Sequence, residues 1–507
     1  MTNPWLIMPL AVPALTAAVL VLAFRRRPSG QRVFSGVSVL VQVSLAIGLC
    51  VVAADGVPRT YLLGNWPAPY GIVLVLDRLA AIMLLLTGVL AICALLAALG
   101  SWDRRGRHFH ALFQFLLLGL NGAFLTGDLF NLFVFFEVLL IASYGLMLHG
   151  GGARRLKAGF AYVTVNLIGS TVFLFAVGLV YASTGTLNMA DLAVKVPQVA
   201  AQDRALLAAG ALMLFTVFAI KSAMVPLHWW LPPAYGAAAP PVAALFAIMT
   251  KVGAYSIIRV YTLIFGADAG PLAGIAVPWI LPAGILTLVL GTIGVLASRA
   301  LFDLVCHALI SSMGTLLIAV GLANTDGLAA ALYYALQSTL VSAGLFLLAG
   351  LVGEGDERDL GDVPIRNGAG LLAGFYFVLA IAAVGMPPLA GFVGKILILE
   401  AGRSASLATT VWPAILVSSL LMIIGFARMG IGIFWSAPAG GAVTVQRPLA
   451  MLPMLAVCGL IALLVALGVF AGTVMDGLAA AADQITQPRH YIEAVLGDQR
   501  AVPSVGE

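Results

Sequence analysis

Charged side chains are scarce in this chain: 26 Lys and Arg and 21 Asp and Glu serve 507 residues, 9% of the total, while 62% are apolar. An average soluble domain carries about 25% charged and roughly 45–50% apolar residues. A water-soluble fold of this length could not cover its surface with so few charges, which excludes a soluble multidomain enzyme and a disordered chain. The net charge of +5 is spread too thinly to make a phosphate-binding patch, so nucleic acid is not an expected partner. Cysteine is scarce as well. Cys50, Cys93, Cys306 and Cys458 stand far apart inside apolar runs, with no CxxC or Cys/His spacing. Nothing there suggests a disulfide scaffold, zinc, haem or an iron–sulfur cluster, and neither a metal nor a cofactor is expected.

What the chain has in abundance is apolar runs long enough to cross a bilayer core about 30 Å thick, which takes about 20 residues of helix. Fourteen can be read, near 5–24, 33–54, 71–99, 110–127, 129–149, 158–183, 205–230, 241–265, 273–297, 302–323, 326–352, 369–401, 407–436 and 450–473. They are far too long for barrel strands and lack the two-residue alternation. The fold class is therefore an all-α polytopic membrane protein with about 14 transmembrane helices, embedded in a lipid bilayer. No basic residue precedes the first run and Arg25, Arg26, Arg27 and Arg32 follow it, the reverse of a secretory signal, so it is expected to remain. One set of alternate loops holds Arg25–Arg27, Arg32, Arg104, Arg105, Arg107, Arg154, Arg155, Lys157, Arg299, Arg358, Arg366 and Arg447. The other holds only Arg59, Lys195, Arg204 and Arg403. The positive-inside rule then puts both termini outside a bacterial-type cytoplasmic membrane. Loop 353–368 departs from the basic trend with five acidic residues, as a solvated linker or a docking site for a partner protein.

Four charges fall at or near mid-span: Glu137, Lys221, Lys251 and Lys395. Each costs at least about 2.5–3.5 kcal/mol at a helix centre on insertion scales, so each is a functional candidate. Asn131, Glu137 and Tyr144 share one face of a Phe-rich helix. Glu137 could also be a structural lock between helices, but a Ser or Asn would do that at lower cost. Lys221 lies upstream of Pro226, which deprives the Ser222 carbonyl of its helical donor. His228 follows, either as an interfacial anchor beside Trp229 and Trp230 or as a proton relay. Lys251 shares a face with Tyr255 and Arg259, and Arg259 is expected to snorkel to the headgroups. Lys395 lies two turns beyond Pro387 and Pro388, which free the carbonyls of Ala383 and Val384. Two broken, lysine-bearing spans, the seventh and the twelfth, point to two inverted five-helix repeats with ion sites near the midplane. The resulting division is an N-terminal three-helix region (1–109), a first repeat (110–265), a second repeat (273–436), a last helix (450–473) and a polar tail (474–507), expected at the surface or against a neighbour. A buried Lys whose Glu partner approaches or withdraws changes its proton affinity, which is the element of a pump or exchanger.

The segments NGAFLTGDLFNLFVFFEVLLIASYGLMLHGG, IKSAMVPLHWWLP through TKVGAYSIIRVYTLIF, and GMPPLAGFVGKILIL, with GNWPAPYGIVLVLDRLAAIM near the start, resemble the antiporter-like subunits shared by respiratory complex I and Mrp-type cation/proton antiporters. They look most like the D-type members of the Mrp group. The resemblance implies fourteen helices, broken seventh and twelfth helices, and function only within a hetero-oligomer that exchanges sodium for protons. It assigns the proton-transfer roles to Glu137, Lys221, Lys251 and Lys395. This chain departs from the pattern in two places. Phe302 and Asp303 stand where a basic pair is usual, and Gln337 stands where a histidine is usual in the eleventh helix. Gln337 cannot titrate, so His307 becomes a substitute relay candidate beside Tyr144 and His228. The leading expectation is a proton-translocating antiporter subunit rather than an enzyme, with protons and sodium as cargo. The alternatives are a membrane-arm subunit of a complex I-like quinone oxidoreductase or membrane-bound hydrogenase, with any redox chemistry in partner subunits, and an inert scaffold.

Overall fold

The computed structural model describes residues 3–353, 369–435 and 450–497. In chain order the elements are α1 (Met8–Leu22), α2 (Pro28–Ala53), β1 (Arg59–Leu62), β2 (Val73–Leu76), α3 (Arg78–Ala98), α4 (Phe109–Leu125), α5 (Leu129–Met147), α6 (Ala153–Thr184), α7 (Met189–Lys195), α8 (Arg204–Lys221), α9 (Leu231–Ala237), α10 (Pro240–Leu263), α11 (Val277–Ala297), α12 (Leu301–Gly321), α13 (Thr325–Val352), α14 (Ala369–Val384), α15 (Ala390–Ala401), α16 (Ala405–Phe434), α17 (Met451–Val469), α18 (Ala471–Thr486) and α19 (Arg489–Leu496). Among the described residues twelve helices are long and apolar enough to span a membrane, and α4 and α14 are shorter apolar helices. With α8–α9 and α14–α15 each forming one interrupted span, these make fourteen crossings. The interrupted spans are the fourth members of two successive groups of five, and an odd number per group sets the two groups in opposite directions.

Polar residues mark where helices leave the bilayer. Asp77, Asp128, Asn188 and Asn324 each accept a backbone N–H in the first turn of α3, α5, α7 and α13, satisfying donors that lipid could not. The antiparallel β1–β2 hairpin pairs Arg59 with Leu76 through Leu62 with Val73. Asn3 N donates to Thr60 O at 3.2 Å, tying the N-terminal segment to that hairpin, and α19 packs on α7 and β1. The N-terminal segment from Asn3, α19 and the α7 loop therefore share one face. On the opposite face Arg32 grips Asp103 through two bonds of 2.6 and 2.7 Å, with His110 3.4 Å away. Burial disfavours the Asp103 carboxylate, but the His110 and Arg32 contacts outweigh it and hold this group well below the usual carboxylate range.

The centre of the bundle is α10, fully buried over its spanning window, flanked by α12 and α13 at 89%. By contrast α6, α16 and α17 present Phe160, Phe175, Leu420 and Val469 outward, the lipid-facing pattern of peripheral helices. The polar tail folds back on its own chain: Leu478, Ala481 and Ile485 of α18 and Tyr491, Ile492 and Val495 of α19 are buried. The acidic segment after Gly353, with Arg358, Arg366 and Arg447, lies outside the described residues.

Candidate proton pathway

Pro226 cannot follow a helical residue at Ser222, because its ring would meet that carbonyl. The helix accordingly stops at Lys221. Ala223 takes a positive φ of 52°, Met224 N bonds back to Ala219 O at 2.9 Å, and Val225 N is satisfied by Thr287 Oγ1 of α11 at 3.0 Å. Trp230, in the core rather than at the interface, donates to the Ile220 carbonyl at 3.0 Å. Trp229 is the exposed member of the pair. Gly253 of α10 is required against this break, since a Cβ there would lie 2.5 Å from Ser222 Oγ.

At the end of α8 the Lys221 Nζ donates to Asn166 Oδ1 of α6 at 2.8 Å and lies 5.9 Å from the Phe136 ring centroid. Glu137 of α5 accepts a hydrogen bond from Ser170 of the same α6. No ion pair joins Glu137 to Lys221 among the described residues; Asn166 and Ser170, one turn apart, carry one charge each. Glu137 and Lys221 are thus both held by α6, through a polar pair that the charges alone do not single out. The signal was present: Asn and Ser at i, i+4 in a run otherwise apolar on that face. Asn166 is itself oriented by donating to Tyr162 O at 2.8 Å. Tyr144, two turns from Glu137, stacks edge-on to Tyr162 at 5.6 Å, and the Tyr162 hydroxyl meets Ser143 Oγ at 3.0 Å.

Lys251 on α10 is 1% exposed and its Nζ has no hydrogen-bond partner among the described residues. A buried ammonium donor of this kind calls for water. Its neighbours on the same face behave differently from expectation. Arg259 does not snorkel: it is 5% exposed and makes two bonds of 2.5 and 2.8 Å to Asp77, the N-cap of α3. It also donates to Tyr255 Oη at 3.3 Å and lies 5.2 Å from the Tyr491 ring of α19. The desolvation cost of burying the guanidinium is met by this pairing, which the sequence could not reveal because Asp77 lies 182 residues away.

In the second interrupted span α14 ends at Val384, Gly385 takes φ +83°, and α15 resumes at Ala390. One of the carbonyls freed by Pro387 and Pro388 is used directly: Lys395 Nζ donates to Val384 O at 2.6 Å and to Ser419 Oγ of α16 at 2.7 Å. Gln337 of α13 donates to Ala382 O at 2.8 Å, while its Oε1 is buried without a partner among the described residues. Gly391 lets α15 approach, since a Cβ there would collide with Ala382 O and lie 2.9 Å from Gln337 Nε2. Gln337 and Lys395 thus meet at the same helix break. His307 is elsewhere: its Nδ1 is bonded to Asp303 O at 2.8 Å and faces Ser298 Oγ at 3.3 Å, at the turn between α11 and α12. His228, half-buried in the first break, lies within electrostatic reach of it. Neither histidine is bonded to Lys251, Gln337 or Lys395. Phe302 packs on Phe346 at 5.9 Å. Outside the spans, burial pushes the Asp128 carboxyl up to about 6, against the backbone N–H bonds of α5 that favour its ionised form.

A family profile described as NADH:quinone oxidoreductase/Mrp antiporter, TM, matches residues 126–424. The chain is 41% identical over 533 residues to the D component of a probable K(+)/H(+) antiporter of Rhizobium meliloti (strain 1021), covering 98% of each. It is 37% identical to the D component of the Na(+)/H(+) antiporter of Bacillus subtilis (strain 168), covering 97% of this chain and 99% of the relative. Among solved structures it is similar to a chain of the Mrp complex from Dietzia sp. DQ12-45-1b, with a TM-score of 0.88, 28% identity, and coverage of 98% and 100%. It shares its fold, at a TM-score of 0.79, 24% identity, and coverage of 96% and 99%, with a chain of respiratory complex I from Thermus thermophilus.

Proposed function

This chain belongs to the family of NADH:quinone oxidoreductase and Mrp antiporter membrane subunits, and we propose that it is the D-type, proton-translocating subunit of a multisubunit monovalent cation/proton antiporter. It is a transporter subunit. The observation that carries the mechanism is the row of intramembrane charges on the two interrupted spans and the helices beside them: half-buried Glu137 on Ser170, Lys221 on Asn166, Lys251 without a protein partner among the described residues, and Lys395 beside Gln337. A proton taken up near Glu137 and Lys221 alters the field at Lys251, and the change passes to Lys395 through the polar groups at the second break. Water completes the steps where no protein atom bridges, because buried ammonium and amide groups demand partners. Residues 110–265 and 273–436 supply the two inverted half-pathways.

The loop charges support both termini outside, with Arg25–Arg27, Arg104, Arg105 and Arg154 on the cytoplasmic face. Sodium is the cation we assign first. The relatives carry potassium in one name and sodium in others, and Glu137, the one mid-span carboxylate of the candidate pathway, is poor coordination for a sodium ion. We therefore assign protons to this subunit and the cation path to the wider complex. Expression of the complete complex in a salt-sensitive host should restore growth, tested separately in sodium and in potassium, and Lys221→Ala should abolish the rescue. Unimpaired exchange by that variant would refute the lysine relay. Flavin or iron–sulfur subunits in the purified complex would favour a quinone-driven pump instead.

A further inference from the structure

On the face that carries both termini, the ends of α2, α3 and α17 and the middle of α13 border a crevice of about 560 Å³. One face of α3, from Arg78 to Val89, forms its floor, α17 from Leu463 to Phe470 forms a wall, and α18 roofs it over Gly477. Its lining is apolar apart from Cys50, Thr473 and, at the end nearest the start of α3, Arg78, the one charged member. Arg78 donates to Ala54 O at 2.7 Å and Ala480 O at 2.9 Å. No carboxylate bonds it among the described residues; the nearby Asp55 is committed to Arg59 at 2.6 Å.

Depth and charge select an occupant. From Arg78 to Val89 there are eleven helical rises, about 16 Å at 1.5 Å per residue, which is half of a hydrocarbon core of about 30 Å. Over that depth the crevice offers mainly apolar side chains and one cation, Arg78, at its end, which matches the tail and the phosphate of a lipid. The cation at that end is at headgroup level, where a guanidinium binds phosphate by charge-assisted hydrogen bonds. We propose that this crevice is a lipid site that takes one acyl chain of an anionic phospholipid from the leaflet on the termini face, with the lipid phosphate against Arg78. The roof helix α18 is hydrogen-bonded to the floor through Arg78 and to the α2–β1 turn through Gln484, which donates to Gly56 O at 2.7 Å. The lipid thereby becomes part of the packing that holds the C-terminal helices over the outer ends of α3 and α13.

The test uses the complete complex in phosphatidylcholine nanodiscs doped with phosphatidylglycerol that carries a diazirine in its acyl chain. Adducts should concentrate several-fold on α3 between Ala81 and Val89 and on α17, relative to the lipid-facing Leu167 and Phe175 of α6. Unlabelled phosphatidylglycerol should compete and phosphatidylcholine should not. Gly477→Trp directs a ring into the crevice from a position with no atom within 4 Å and should suppress the adducts several-fold. Arg78→Gln should erase the headgroup preference while leaving acyl labelling in place. Adducts no denser than on α6, indifference to Gly477→Trp, an unchanged headgroup preference in Arg78→Gln, or crosslinks from the crevice to a partner protein would each overturn the proposal.

Discussion

Replacing Asn166 with Ala should lower cation/proton exchange by at least tenfold in a complex that still assembles. The Asn166 amide is fixed at both ends: Nδ2 donates to Tyr162 O at 2.8 Å, so Oδ1 is the atom turned to Lys221 Nζ, also at 2.8 Å. Lys221 is 6% exposed, and solvent ions screen such a contact little. A hydrogen bond to a charged group contributes about 1.5–3 kcal/mol. At about 1.4 kcal/mol per tenfold, its loss reduces the proton-loaded state of Lys221 by roughly 10- to 150-fold relative to the unloaded one. Asn166→Leu, which fills the same space without an acceptor, should behave as Ala does, separating the bond from the packing. The assay is exchange in everted membrane vesicles, followed by a pH-sensitive dye after cation addition, with the amount of assembled complex measured in parallel. Exchange within twofold of the unmodified protein at equal abundance would refute the idea that α6 holds Lys221 in its working state.

Gln337→Leu leaves the Ala382 carbonyl without its donor, costing about 1–3 kcal/mol at the second break; exchange should fall, whereas Gln337→His, which keeps an N–H donor and adds a titratable ring, should retain it in the same vesicle assay. Arg259→Met strands the Asp77 carboxylate in the core and should cost about 3–5 kcal/mol. Adding Asp77→Asn, which preserves the α3 cap, should recover most of the loss in the detergent melting midpoint. Asp128 binds its proton more tightly in the fold, near a pKa of about 6, than in the unfolded chain. The stability this gives is fully present below the ordinary carboxylate pKa near 4 and is lost as the pH rises through about 6, up to roughly 3 kcal/mol. Asp128→Asn keeps the α5 cap and should flatten that pH dependence between pH 4 and 7; an unchanged slope would show that burial at Asp128 is not its source.

Much of the site was legible because membrane burial makes charge conspicuous. Glu137, Lys221, Lys251 and Lys395 stand out from their runs, and Pro226, Pro387 and Pro388 announce the breaks through their missing N–H groups. The partners were not legible. Asn166, Ser170 and Ser419 are residue types that any apolar helix tolerates, so only their positions opposite a charge give them meaning. Arg259 was misread for the same reason: near a helix end an arginine ordinarily reaches water, and only the packing of α3 against α10 supplies Asp77.

The sequence by itself determined the solvent of this protein, the number of crossings, the placement of the breaks and the identity of the four mid-span charges. Each follows from a local cost: apolar length, a proline ring, or an ion in hydrocarbon. Only the tertiary structure decided which groups face those charges, that Gln337 and Lys395 meet at one break while His307 does not, and that the polar tail folds back as a roof over its own bundle. Those are distances between residues far apart in the chain, fixed by helix packing, and no local cost encodes them.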